Sequence, residues 1–159
     1  MAKGKGMLQG KVAIVTGSGR GLGRAHALAM AEEGAKLVIN DLGVEWDGTG
    51  KAKGPADEVV KEIKAMGGDA VANFESVTNF ESAQKIIDSA VKHFGKLDIL
   101  VNNAGFLRDK MTFNMTKEEW DAIIEVHLTG SFYCGRWACA YFRVQSKAGA
   151  PLKAWVITT

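Results

Sequence analysis

The chain has 159 residues, of which 47% are hydrophobic and 24% charged, and a formal net charge of +2. This is one domain of ordinary size with enough apolar residues for a real core, and the sequence is read as a single unit over 1–159. So small a charge gives no support for nucleic acid or an anionic membrane surface as the main partner, no apolar run approaches a membrane span, and two prolines are too few for extended disordered linkers.

Met1 to Gly10 is short, basic and glycine-containing. It lacks the apolar stretch of a signal peptide and reads as a loose leader, which makes the cytoplasm the default compartment. The first strand is expected over 12–16, on the apolar run Val12-Ala13-Ile14-Val15. An alanine-rich helix over 21–34 follows, stopped by Gly34. The second strand spans 36–41, on Leu37, Val38 and Ile39, and opens into a glycine-rich loop from Leu42 to Pro55 that is long for such a unit. The second helix carries Ala56, Val59, Val60, Ile63 and Met66 on one stripe and ends at Gly67-Gly68.

A third strand is expected over 69–73. Thr78-Asn79-Phe80-Glu81 reads as a capping box, in which hydroxyl and carboxylate three apart satisfy the first N–H groups of a third helix on Phe80, Ala83, Ile87, Ala90 and Phe94. The fourth strand is 97–101. A second capping box, Thr116-Lys117-Glu118-Glu119, opens a fourth helix whose inward stripe is expected to hold Trp120, Ile123, Ile124, His127, Leu128, Ser131 and Phe132. A loop around 148–153 leads to a fifth strand, 154–159. Cys134 and Cys139, the only cysteines, lie five apart on that fourth helix, which is not a metal-ligand pattern; they read as free, buried or half-buried thiols, and no metal is expected.

Strands joined by helical crossovers run parallel with right-handed connections, so the fold class is α/β: a doubly wound parallel sheet in the order 3-2-1-4-5, with a switch point between strands one and four. Ligands bind outside the carboxyl ends of the strands near such a switch. Three sequence features map there. The first is Gly17-Ser18-Gly19-Arg20-Gly21-Leu22-Gly23, wedged between strand and helix, where bare backbone can approach a pyrophosphate and the helix N-terminus favours the anion. Tight turns that bind nothing use glycines too, and neither the strict G-x-G-x-x-G spacing nor a P-loop lysine is present. The second is Asp41, eighteen residues beyond Gly23, near the separation expected for a carboxylate that takes both ribose hydroxyls of an adenosine. Its charge repels a 2′-phosphate and favours NAD over NADP. Arg20 argues the other way, and a solvated acid in a βα loop is the alternative reading. The third is Asn102-Asn103-Ala104-Gly105, whose amides can bridge neighbouring strands or simply form an ordinary turn.

Taken together, Thr16-Gly17 through Gly21 and Gly23, Asp41 and Asn102-Asn103-Ala104-Gly105 resemble the short-chain dehydrogenase/reductase family, over about 8–159. Val38-Ile39-Asn40-Asp41-Leu42-Gly43, Ala70-Val71-Ala72-Asn73, Ser76-Val77, Leu107-Arg108-Asp109 and Val126-His127-Leu128 are more closely similar to the (3R)-hydroxyacyl-CoA dehydrogenase domains of peroxisomal multifunctional β-oxidation enzymes and their bacterial relatives. The resemblance implies a Rossmann-like fold and hydride transfer between NAD and a secondary alcohol or ketone, such as a 3-hydroxyacyl-CoA. It implies that Gly17, Ser18, Arg20, Gly21, Leu22 and Gly23 hold the pyrophosphate, and Asp41 the adenosine ribose. Ser76, Val77, Asn103, Ala104 and Gly105 are left for the adenine and its neighbouring ribose. It also implies a homo-oligomer for the intact enzyme, with Trp137, Tyr141 and Phe142 either on a dimer surface or in the core. The family's catalytic Tyr-x-x-x-Lys is not formed by Tyr133, followed by Trp137, or by Tyr141, followed by Gln145; the expected serine, tyrosine and lysine would fall beyond Thr159. This chain alone is therefore expected to be inactive, and a non-catalytic dinucleotide-binding module is the alternative. His127 stands where most relatives have an asparagine, as a satisfied inward-facing histidine or as part of a proton relay. The first face of strands four and five is expected to lie uncovered.

Overall fold

The computed structural model describes residues 6–43, 54–151 and 153–159. Val12–Thr16 (β1) is an unbroken run of buried residues, four of them β-branched, as a strand covered on both faces requires. Gly21–Glu32 (α1), Lys36–Asn40 (β2), Gly54–Ala65 (α2), Asp69–Asn73 (β3), Phe80–Phe94 (α3) and Ile99–Asn102 (β4) follow in alternation. A 3₁₀ turn at Thr112–Asn114 then leads to Lys117–Ile124 (α4), a π turn at Glu125–Gly130, Ser131–Lys147 (α5) and Trp155–Thr158 (β5).

The five strands form one parallel sheet in the order β3-β2-β1-β4-β5. Their register brings the carboxyl ends level: Thr16 faces Asn40, Asn40 faces Asn73, and Val15 faces Val101. Side chains alternate between two apolar layers. Ala13, Val15, Leu37 and Ile39 meet Ala27, Val59 and Ile63 of α1 and α2. Val12, Ile14, Val38 and Leu100 meet Ile86, Ile87 and Ala90 of α3 and Cys134, Ala138 and Phe142 of α5.

Four local expectations need correction. Residues 7–10 are not loose: Leu8 N–H donates to the Glu33 carbonyl at 2.9 Å, Met7 N–H to the Glu33 carboxylate at 2.9 Å, and Leu8 packs on the core. The cap of α3 is Asn79, whose side chain accepts from Ser82 N–H at 2.8 Å, because the Thr78 hydroxyl is engaged by the Ser76 hydroxyl at 2.9 Å. The box at Thr116 and Glu119 forms as expected. The fourth helix is not continuous, and its expected inward stripe fails: Trp120 is 57% exposed, Leu128 64% and Phe132 63%. The π turn inserts extra backbone per turn, so a count at 3.6 residues carried through it puts Phe132 on the wrong face, whereas Trp120 precedes the turn in α4, a helix with no buried residue. Beyond the turn the inward positions are Gly130, Cys134, Ala138 and Phe142. Trp137 and Tyr141 are half-buried beside the same layer, and the Trp137 indole donates to the Phe80 carbonyl at 2.9 Å. Cys134 is buried and Cys139 exposed, both free. Most of the expected loop 42–55 lies outside the described residues, as do the first five residues of the chain.

The face of β4 and β5 beside α1 is bare. Trp155 and Ile157 are exposed there and, with Ile99, Val101, Ala29 and Met30, line an apolar groove of about 440 Å³.

Candidate dinucleotide site

Everything expected to hold a cofactor gathers at the carboxyl ends of β1, β2, β3 and β4. The turn between β1 and α1 is shaped by its neighbours. Gly17 has φ +62°, and a Cβ there would lie 2.8 Å from the Ala104 Cα. A Cβ on Gly19 would lie 2.9 Å from the Asp41 carboxyl carbon, and one on Gly23 would run into the Gly17 carbonyl oxygen. Glycine is therefore demanded at each position by a different contact. Ser18 is fully buried and structural: its hydroxyl donates to the Val15 carbonyl at 2.7 Å and its N–H to the Asn40 carbonyl at 3.0 Å. Arg20 is the N-cap residue of α1 with extended backbone, and Leu22 is exposed in the first turn. The first N–H groups of α1, at Gly21, Leu22 and Gly23, have no partner within the helix and carry the positive end of its dipole.

Asp41 closes this turn from the β2 side. One carboxylate oxygen accepts from Gly19 N–H at 2.8 Å and the other from Gly43 N–H at 2.7 Å. Each oxygen keeps a further lone pair for a hydroxyl donor. From the β4 side, the Asn103 amide donates to the carbonyls of Thr16 at 3.0 Å and Gly17 at 3.1 Å. The Thr16 hydroxyl accepts from the N–H groups of Asn103 and Ala104, both at 3.0 Å. The Thr16 and Gly17 carbonyls are thus occupied, the Ser18 and Gly19 N–H groups are engaged by Asn40 and Asp41, and the first N–H groups of α1 are the donors left for an anion. Thr16 was part of the sequence motif but was not assigned a task; its hydroxyl is the peg on which the 103–104 segment hangs.

Gly105 supports the ring of His127: a Cβ at 105 would lie 2.5 Å from the imidazole Cε1. His127 Nε2 sits 3.2 Å from the Phe106 N–H nitrogen and 3.0 Å from the Phe106 carbonyl oxygen. The histidine is satisfied, as one expectation held, but it is exposed in the π turn rather than inward-facing. On the β3 side, the Ser76 hydroxyl meets Thr78 and Val77 is buried against Gly130. Lys110 pairs with Glu119 at 2.6 Å, and Arg108 lies over the Phe106 ring at 5.1 Å. The Lys110 hydrogen bond, then the Thr116 N–H, hold the Glu119 carboxyl below its ordinary range.

At the opposite, amino end of the sheet Asp98 has a different task. It accepts from Val12 N–H at 2.9 Å and pairs with Lys96 at 2.9 Å and Lys11 at 3.3 Å. Burial pushes its carboxyl up. The Lys96 and Val12 hydrogen bonds, with the charges of Lys96 and Lys11, outweigh this and hold it below the usual carboxylate value. Burial alone pushes the Cys134 thiol up to about 12. Among the described residues there is no His, Cys, Asp or Glu group able to hold a metal ion, and no helix long and apolar enough to cross a membrane.

Residues 11–150 match the family model described as short chain dehydrogenase. The chain is 52% identical over 136 residues to a peroxisomal hydratase-dehydrogenase-epimerase of Neurospora crassa, covering 86% of this chain and 15% of that protein. It is 48% identical over 143 residues to the peroxisomal multifunctional enzyme type 2 of Drosophila melanogaster, covering 90% and 23%. It is 47% identical over 144 residues to the hydroxyacyl-CoA dehydrogenase ChsB1 of Mycobacterium tuberculosis, covering 88% and 43%. A crystal structure of a short chain dehydrogenase from Mycobacterium avium superimposes with a TM-score of 0.88 at 51% identity, covering 95% of this chain and 54% of that one. The chain thus spans less than half the length of these curated relatives.

The peroxisomal names among the relatives overturn the expectation of a cytoplasmic protein. That expectation rested on Met1 to Gly10 lacking the apolar stretch of a signal peptide, and peroxisomal addresses of the Ser-Lys-Leu type are read at the far end of a chain. The braced glycine turn, the carboxylate beside it and the family match agree: this chain belongs to the short-chain dehydrogenase family.

Proposed function

We propose that the chain forms the cofactor-binding part of an NAD-dependent oxidoreductase whose substrate is a secondary alcohol or ketone of the 3-hydroxyacyl-CoA type. The observation that carries the cofactor reading is the 2.8 Å contact between the Asp41 carboxylate and the Gly19 N–H. It fixes an acceptor-only group beside the anion-binding end of α1, where a ribose diol next to a diphosphate can donate to it and a 2′-phosphate is repelled. When bound, the nicotinamide supplies the hydride chemistry.

The chain's own residues then divide the work. Gly17, Gly19, Gly21 and Gly23 keep side chains out of the diphosphate's path, while Arg20 and Leu22 flank it. Asp41 takes the adenosine ribose, and Ser76 and Val77 border the adenine. Asn103, Ala104 and Gly105 line the neighbouring ribose, and His127 steadies that segment through Phe106. The substrate class is supported by the relatives' names, which include hydroxyacyl-CoA dehydrogenase.

Neither tyrosine of the chain is placed for proton transfer. Tyr133 packs edge-on against Phe80 at 5.1 Å and Tyr141 lies beside Phe142. The chain by itself is expected to bind NADH without turning over a 3-hydroxyacyl-CoA.

Calorimetric titration tests the reading. The wild type is expected to bind NADH more tightly than NADPH, and Asp41→Ala to weaken NADH roughly tenfold, as loss of a charge-assisted hydrogen bond implies, and to erase the preference. Equal affinities for both cofactors, unchanged in Asp41→Ala, would overturn the assignment.

A further inference from the structure

We infer that Asn40 is a positioning residue that sets the adenine-side wall of the site against the diphosphate turn, acting with Asn73. The inference rests on the reading that the chain binds an adenine dinucleotide, and it concerns residues given no task above.

Asn40 is the last residue of β2 and is 2% exposed. Its amide donates twice, to the Asn73 side-chain oxygen at 2.8 Å and to the Glu75 carbonyl at 2.9 Å. The same Asn73 oxygen accepts from the Glu75 N–H at 3.0 Å. Both polar groups of the Glu75 backbone are therefore clamped by two asparagine side chains. Directly beyond the clamp lie Ser76 and Val77, and Val77 is pinned at its other end under Gly130. The Asn40 main-chain carbonyl meanwhile accepts from the Ser18 N–H at 3.0 Å, inside the diphosphate turn. One residue thus holds the turn with its backbone and the 75–77 wall with its side chain.

The chemistry needs an amide at 40. Two N–H donors fixed in one plane must reach two acceptors. A carboxylate there could donate to neither, and an apolar side chain would take from the half-buried Glu75 carbonyl its side-chain donor. At 73 only an acceptor oxygen is needed, so a carboxylate serves there and an apolar group does not. Interruption of the clamp frees the adenine wall and leaves untouched the Asn103 and Thr16 contacts that tie the 103–104 segment to the turn.

The test compares ADP-ribose with reduced nicotinamide mononucleotide, which lacks the adenosine. Asn40→Val and Asn73→Leu are each expected to weaken ADP-ribose roughly tenfold, the effect of one or two buried hydrogen bonds, with little change for the mononucleotide. Asn73→Asp is expected to keep near-wild-type affinity for both, because the acceptor oxygen that takes the Asn40 amide and the Glu75 N–H is retained. Equal losses for both ligands, wild-type affinity for ADP-ribose in Asn40→Val and Asn73→Leu, or failure of Asn73→Asp to bind where the wild type binds would overturn the inference. Should the wild type bind neither ADP-ribose nor NADH, the cofactor reading falls and takes this inference with it; binding by the wild type with unaltered variants sinks the inference alone. Should Asn40→Val not fold, the Asn73 pair carries the decision.

Discussion

Single residues in this chain are held by partners far away in sequence, and that makes their substitution effects separable. Gly105 and His127 are the clearest pair. The ring lies where a Cβ of residue 105 would be, and a side chain can move aside where backbone cannot. Gly105→Ala is expected to destabilise the protein modestly, by about 0.5–1 kcal/mol, because the exposed imidazole must swing off Phe106, and to do so much less when His127 is already alanine. A double-mutant cycle in urea unfolding measures this coupling, and additive effects would count against the contact. Asp98 gives a pH signature. Its folded pKa is lowered, so its contribution is present above the unfolded value and drains away as pH falls through the folded one. Wild-type unfolding midpoints should decline across the acid range, and Asp98→Asn should flatten that decline; an unchanged slope would show that other carboxylates dominate.

At the scale of elements, strands, helix order and the location of the site were legible in the sequence. Alternating buried runs and amphipathic stripes encode strand and helix directly, and the parallel order follows from the crossovers. Asp41 could be placed beside the glycine turn because its separation from Gly23 is read directly along the chain. The cap of α3 was misread by one residue because Thr78 and Asn79 are both good caps, and only the folded loop shows that Ser76 occupies the threonine hydroxyl. Asn79→Ala should therefore cost about 1 kcal/mol in urea unfolding, the usual worth of an N-cap, and Thr78→Ala clearly less of helix α3; the reverse ranking would restore the threonine. The π turn was invisible for a different reason. Nothing in Glu125 to Gly130 marks a changed period, and the contacts the turn makes, His127 with Phe106 and Gly130 with Val77, reach across the fold. The Asn40–Asn73 clamp escaped for the same reason, being a side-chain pairing set by strand register.

For the molecule as a whole, the two faces of the sheet are unequal. One is covered by α3 and α5 over β1 to β4, with Val156 of β5 still exposed, and the other is covered only over β1 to β3, leaving the groove beside Trp155 and Ile157. The sealed side contains Cys134, close to the seam between α3, α5 and the sheet, while Cys139 stands in solvent five residues along the same helix. With its thiol pushed up to about 12, Cys134 has essentially no thiolate at mildly alkaline pH, and its burial keeps reagents out. Iodoacetamide should therefore alkylate Cys139 at once and Cys134 only during moments when the α5 layer lifts from the sheet. Mass spectra taken over time would then show one fast and one slow adduct, and equal rates would contradict the burial. The second adduct is a built-in clock for opening of the sealed layer, and any ligand that stiffens the fold should slow it.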